Sequence, residues 1–286
     1  ATHALGQESR SVAYGVPINT WGGRANLGLY DDRTAMKEGP LRSLRITGHS
    51  TASILSIRQP VHVGATFEVD LVGGGKSRRN TSWISNVFLS RTDTMDRNLG
   101  VEAQVFGADS GWSASYVRSV GEARTVAWDG FRVDRGSLRH YRDIGGGLSF
   151  RGALAWQASP QAGLPSSEQL FIGGEGSVRG YPVGLYSGDK GQTVSLELHH
   201  PLVEPGGSGG LGADGFLFVD YGRVKPQRPP ASTLRSFEAL TGLGWGLNLQ
   251  LGRHVSARLV FGYGATRVPL QPRSYDVTLQ VVASAF

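Results

Sequence analysis

Apolar and polar residues alternate with a period of two over much of this chain. Gly242 to Leu251 reads GLGWGLNLQL, with Leu243, Trp245, Leu247, Leu249 and Leu251 on one face and Gly242, Gly244, Gly246, Asn248 and Gln250 on the other. Val255–Tyr263, Val194–Leu202 and Leu148–Trp156 alternate in the same way. Period two over about nine or ten residues is a strand signature, and a tilted strand of that length crosses a membrane. Weaker stripes come earlier: Val12, Tyr14, Val16 and Ile18, then Leu27 with Leu29. Phe67, Val69 and Leu71 oppose Glu68 and Asp70, and Val101, Ala103 and Val105 oppose Glu102 and Gln104. The pattern predicts about fourteen strands, near 11–19, 24–31, 52–62, 65–72, 81–91, 100–107, 111–120, 137–144, 147–158, 192–202, 214–224, 239–251, 254–264 and 275–286. It leaves 41–47 and 124–133 as loops. No long segment shows a 3.6 period, and no apolar run approaches the roughly eighteen residues of a membrane-spanning helix.

Composition changes this picture little. A hydrophobic content of 39% suits a soluble β protein and equally a transmembrane barrel, in which every second residue faces lipid. The strand pattern has to decide between them. The chain has 42 glycines, about twice ordinary usage, spread through strands and turns. It has no cysteine, so neither disulfides nor thiolate metal sites contribute. The net charge of +6 comes from basic residues spaced singly, and only Lys76-Ser77-Arg78-Arg79 is dense. That spacing fits loop or lumen charge, and nucleic acid is not expected as a partner.

Enzyme-like strings fail on context. Gly206-Gly207-Ser208-Gly209-Gly210 lies in a Pro-Gly-rich loop without the helix a nucleophile elbow requires. Gly73-Gly74-Gly75-Lys76-Ser77 lacks the first glycine and the helix of a phosphate-binding loop. His199 and His200 point to opposite faces of one strand and cannot share a metal. No catalytic residue, cofactor or metal is expected.

One stretch does carry specific chemistry. Leu170–Leu202 reads LFIGGEGSVRGYPVGLYSGDKGQTVSLELHHPL, a glycine-dense hairpin tip with a single arginine followed by an alternating strand. It resembles the loop-six VRGY motif of the Omp85/TpsB superfamily of outer-membrane β-barrel transporters, and within it the TpsB translocators of two-partner secretion. The preceding Leu164-Pro-Ser-Ser-Glu168-Gln-Leu-Phe171 favours that branch. The resemblance implies an all-β, sixteen-stranded transmembrane antiparallel barrel with a loop-six hairpin, about 165–191, folded into the lumen. It implies that Gly173, Gly174, Val178, Gly180 and Tyr181 shape the hairpin and that Arg179 meets an acid on the inner wall. Full-length members carry periplasmic POTRA modules before the barrel; none is read here, so 1–286 is expected to be barrel alone.

The acid is expected at Asp220, in a run (Phe216–Gly222) that resembles the family's F-x-D-x-G motif. Parity supports a lumen position: if Leu217, Val219 and Tyr221 face lipid, then Phe216, Phe218, Asp220 and Gly222 face inward, and an aspartate toward lipid is strongly unfavourable. A guanidinium away from bulk water needs a carboxylate, and its fork suits bidentate pairing. Glu238 shares the parity of Gly242 and is a second candidate acid. Gly222, Gly242, Gly244 and Gly246 form a glycine wall that leaves room for the hairpin or, alternatively, bends the barrel. Phe286 resembles the terminal aromatic read by outer-membrane assembly machinery, although it lies off the apolar stripe of its strand.

The resemblance further implies a Gram-negative outer-membrane location, with membrane lipid, the assembly machinery and a secreted exoprotein as partners. An assembly factor or insertase of the same superfamily, the barrel of a fused outer-membrane enzyme, and a passive porin remain open alternatives.

Overall fold

The computed structural model describes residues 5–36, 45–125, 128–160, 163–204, 210–225, 237–252, 254–268 and 275–283. Phe286 and most of the predicted loop 41–47 lie outside them. Among the described residues fifteen strands follow in chain order: β1 Leu5–Pro17, β2 Arg24–Met36, β3 Ile46–Val63, β4 Phe67–Ile84, β5 Val87–Phe106, β6 Ser110–Arg124, β7 Trp128–Gly145, β8 Leu148–Ala158, β9 Leu170–Ile172, β10 Tyr186–Gly188, β11 Lys190–Val203, β12 Leu211–Lys225, β13 Glu238–Leu251, β14 Val255–Gly264 and β15 Tyr275–Ala283. Thirteen form one antiparallel sheet in the order β1 to β8, then β11 to β15. β9 and β10 pair only with each other, as a small hairpin between β8 and β11. Among the described residues β1 and β15 do not pair, so the sheet is not closed.

Two predicted boundaries are corrected. The three strands read near 65–72, 81–91 and 100–107 are two long ones, β4 and β5, and the predicted 81–91 straddles the turn between them. That turn is made by Ser85 and Asn86, both at positive φ, with no glycine or proline to mark it. The predicted loop 124–133 holds the end of β6 and the start of β7. There Phe131 and Val133 face inward and are buried against Leu164, while Arg132 and Asp134 share the outward face, which inverts the expected polarity.

The sheet is inside-out relative to a water-soluble domain. On β12, Leu217 and Val219 are 63% and 51% exposed, whereas Asp220 between their neighbours is 1% exposed. Exposed leucines and buried carboxylates on opposite faces fit lipid outside and a packed lumen inside. Trp245, Leu243, Leu279 and Val277 extend the exposed apolar surface across β13 and β15. An arginine at Leu247, on that outer face, should therefore cost about 2–4 kcal/mol near the membrane midplane, while Asn248→Arg on the inner face should be tolerated. Equal folding yields of the two variants into lipid vesicles would contradict this assignment of faces.

Rolling of the sheet follows from the hairpin. Its side chains touch β4 at one extreme and β14 at the other, eight strand spacings apart in sheet order. In a flat sheet those strands would be about 38 Å apart at roughly 4.8 Å per spacing. One short hairpin can reach both only if the sheet curls around it. Connections at one end of the sheet leave two to seven residues between strands, while the hairpin and the long Lys225–Glu238 connection leave the other end, which also holds the tight Ser85–Asn86 turn. Outer-membrane barrels place short turns in the periplasm and long loops outside, so the hairpin descends from the cell-surface end.

Candidate functional site

The hairpin is built to hold its shape. Gly173 N–H donates to Ser177 Oγ at 2.9 Å, Ser177 N–H donates to Gly174 O at 3.1 Å, and Gly184 N–H donates to Gly173 O at 3.1 Å. At its neck Asp189, 1% exposed, accepts from the backbone N–H groups of Gly163 and Leu164, both at 3.0 Å. Ile172, Val178 and Tyr181 of the hairpin pack with Val224 and Leu240 of the wall in a buried apolar cluster. The hairpin is thus bound to the wall by burial as well as by polar contacts.

Arg179 stands at the centre. Its Nε donates to Asp220 Oδ2 and its terminal NH2 to Asp220 Oδ1, each at 2.7 Å, a bidentate pair. Asp220 Oδ2 also accepts from the Arg179 backbone N–H at 3.1 Å, and Ser195 Oγ donates to Oδ1 at 2.7 Å. The other terminal nitrogen donates to Glu197 Oε1 at 2.5 Å. The guanidinium carbon lies 3.5 Å from the centroid of the Phe218 ring, in cation–π geometry. Lysine could not reproduce these bonds, because only the planar fork reaches two carboxylates and an aromatic face together.

Glu197 continues the network. Its Oε2 lies 2.9 Å from His199 Nε2, whose Nδ1 lies 2.8 Å from Asp214 Oδ2. Asn248 Nδ2 donates to the same Asp214 oxygen at 2.9 Å, and the His199 ring stacks on Phe216. The second acid beside Arg179 is thus Glu197, in place of the candidate Glu238. Glu238 begins β13, four residues before Gly242, and among the described residues the ion pairs of Arg179 go to Asp220 and Glu197 instead. Register explains the difference. Ser195 lies opposite Asp220 on the neighbouring strand, with Glu197 two positions along on the same face. Sequence alone did not supply this cross-strand pairing of β11 with β12.

The glycine wall divides into two uses. A Cβ on Gly222 would sit 2.7 Å from Val178 Cγ2, and one on Gly242 would collide with the Arg179 carbonyl oxygen. On β14 a Cβ at Gly262 would lie 2.6 Å from Gly180 N, and at Gly264 2.7 Å from the Tyr181 ring. These four positions let the hairpin backbone approach the sheet. Gly244 and Gly246 instead make room for the rings of Phe218 and Phe216 from β12. Gly180 is at φ +89° and abuts the backbone of Tyr263 and Gly264, so both conformation and space require glycine there. The Tyr181 hydroxyl, 2.9 Å from Thr241 O, accepts from Thr266 N–H at 2.7 Å.

A second anchor was not foreseen. Glu168, in a 3-10 turn at Ser166–Glu168, is 1% exposed. Its Oε1 accepts from Lys76 Nζ of β4 at 2.7 Å and its Oε2 from Arg135 of β7 at 3.0 Å. Its backbone carbonyl accepts from Arg135 at 3.0 Å and from Gln157 at 2.9 Å. Lys76 also pairs with Asp96 of β5 at 3.2 Å. The hairpin is therefore held through an arginine on β11 and β12 and through a glutamate on β4 and β7. The sequence signals were an acid in the Leu-Pro-Ser-Ser-Glu run and a dense basic stretch at Lys76, without a way to join them across 92 residues.

Comparison with known proteins places this arrangement. The family model for haemolysin secretion/activation protein ShlB/FhaC/HecB matches residues 1–249. The outer membrane transporter CdiB of Dickeya dadantii (strain 3937) is 25% identical over 217 residues, 67% of this chain and 36% of that protein. The structure of CdiB from Escherichia coli superposes with a TM-score of 0.82 at 20% identity, over 96% of this chain and 53% of that one. CdiB from Acinetobacter baumannii gives 0.76 at 18%, over 98% and 50%. BamA from Haemophilus ducreyi lacking POTRA domains 1-3 gives 0.68 at 12%, over 96% and 62%. At these identities the structural likeness speaks for the barrel fold. The chain spans between about a third and two thirds of the length of these relatives.

Proposed function

This chain belongs to the haemolysin secretion/activation protein family ShlB/FhaC/HecB, and from that membership we propose that it is the barrel of a two-partner secretion transporter in the Gram-negative outer membrane. In this reading a large secreted exoprotein passes from periplasm to cell surface through the lumen. The hairpin is the plug, and Arg179 and Asp220 form a latch rather than a catalytic pair. No nucleotide or metal enters the cycle; folding of the exoprotein outside draws it through. The observation that supports this best is the double attachment of one hairpin to facing walls, through Arg179 and through Glu168. A passive pore needs an open lumen, and a loop that merely narrowed it would not need buried ion pairs on two sides.

The deciding experiment removes Gly174–Gly184 from the full-length protein and records single channels in a planar bilayer alongside secretion of the exoprotein. Small, flickering channels should become larger and steady, and secretion should be lost. Unchanged conductance would mean that the hairpin is not a plug and would return the reading to a porin.

A further inference from the structure

The geometry points to a binding site for the phosphorylated headgroup of an outer-leaflet lipid, on the outer wall of β2–β6 at the cell-surface end. The site starts from cross-strand register. Thr51, Arg79, Asp93 and Arg124 lie opposite one another on successive strands β3, β4, β5 and β6. The next row toward the membrane is Leu29, Ser53, Ser77 and Met95, and Arg91 lies one step farther out than Asp93 on its own strand. All share the outward parity of the exposed Leu55, Leu71, Leu99 and Val120. Together they border one depression of about 620 Å³.

Its chemistry is graded. The membrane side is apolar, with Leu29 and Met95 exposed, and the floor carries the hydroxyl residues Thr51, Ser53 and Ser77. The outer rim carries three arginines and one aspartate. Arg79 Nε and Arg91 both bind Asp93, at 2.7 and 2.9 Å, while Arg124 has no ion-pair partner among the described residues. One carboxylate thus serves two guanidinium groups and a third is unmatched, leaving an excess of donors suited to phosphate. Glu122, on β6, sits one row nearer the membrane and outside the depression; Arg97, one row farther down on β5, restores the positive balance.

Height agrees with the chemistry. Arg79 lies twelve residues along β4 from Phe67, which at about 3.3 Å per residue and a tilt of about 40° is roughly 30 Å. The apolar band of such barrels is about 25 Å tall, so the rim meets the membrane at the level of lipid phosphates. Basic side chains at that level attract anionic headgroups. An amphiphile with a phosphate above and acyl chains below fits this gradient better than a wholly soluble anion. The inference rests on the membrane location and not on transport, so its test does not read secretion.

The test is native mass spectrometry of the purified full-length protein with bisphosphorylated lipid A, a dephosphorylated analogue, and inorganic phosphate as competitor. Wild type should retain the bisphosphorylated lipid, and the variant with Arg79→Gln, Arg91→Gln and Arg124→Gln should lose retention by on the order of tenfold or more. Arg139→Gln, which removes a charge of the same kind from the inner face, should retain as wild type does. The proposal is overturned if the triple variant retains the lipid undiminished, if the dephosphorylated analogue is held equally well, or if millimolar phosphate displaces the lipid. Heat-modifiable gel mobility confirms that each variant is folded.

Discussion

Replacing Arg179 with alanine should free the hairpin tip while the barrel still inserts. The side chain is nearly enclosed, as is that of Asp220, so removing either leaves a buried charge with too few partners, a cost of about 3–5 kcal/mol. The chain has no cysteine, so a single Val178→Cys reports on the tip without background. Val178 is fully buried, and its labelling in the parent should be slow. In Arg179→Ala or Asp220→Ala it should rise by on the order of a hundredfold or more. Glu168→Gln should loosen the base of the hairpin and change labelling at the tip far less. A double-mutant cycle in which Arg179→Ala and Asp220→Ala simply add would dissolve the latch, because groups in direct contact are expected to couple.

Gly242→Val should produce a similar opening without changing any residue of the hairpin. The new Cβ would meet the backbone carbonyl of Arg179 and crowd Val178, and a carbonyl held in a packed hairpin cannot swing aside as the end of a long side chain can. Either the strand shifts or the hairpin leaves, and β13 is fixed by register on both sides. We expect steady, enlarged channels in planar bilayers, with normal insertion. Leu243→Val, one residue along on the outer face, should leave conductance unchanged. Parental flickering channels in Gly242→Val would show that the close approach at this wall is not what keeps the hairpin in place.

Much of this is legible in the sequence, and where it is not the reasons are physical. From Leu148 onward the long strands extend less far beyond the membrane, so the outward face is apolar over most of each, with His200 and Arg223 as exceptions, and period two stays clear. β4 and β5 run on beyond the membrane, where outward positions such as Ser77, Arg79 and Asp93 need not be apolar, and the alternation fades. At the start of β7 it reverses, because Phe131 and Val133 turn inward to cover Leu164. Arg179 and Asp220 could be read from motif and parity, since an acid on a lipid-facing stripe is excluded by cost. Glu197 had the right parity too, but its place beside the arginine depends on the register of β11 against β12. Glu168 depends on partners from β4 and β7, and no local pattern encodes that meeting.

The neck at Asp189 has a kinetic consequence. A plug cinched to the wall at both of its chain ends cannot diffuse away after it is displaced, so its return is first-order and independent of how many copies the membrane holds. A segment tethered through a short linker sees its own binding site at an effective concentration in the millimolar range. If the hairpin is the plug proposed above, its resealing requires no second molecule.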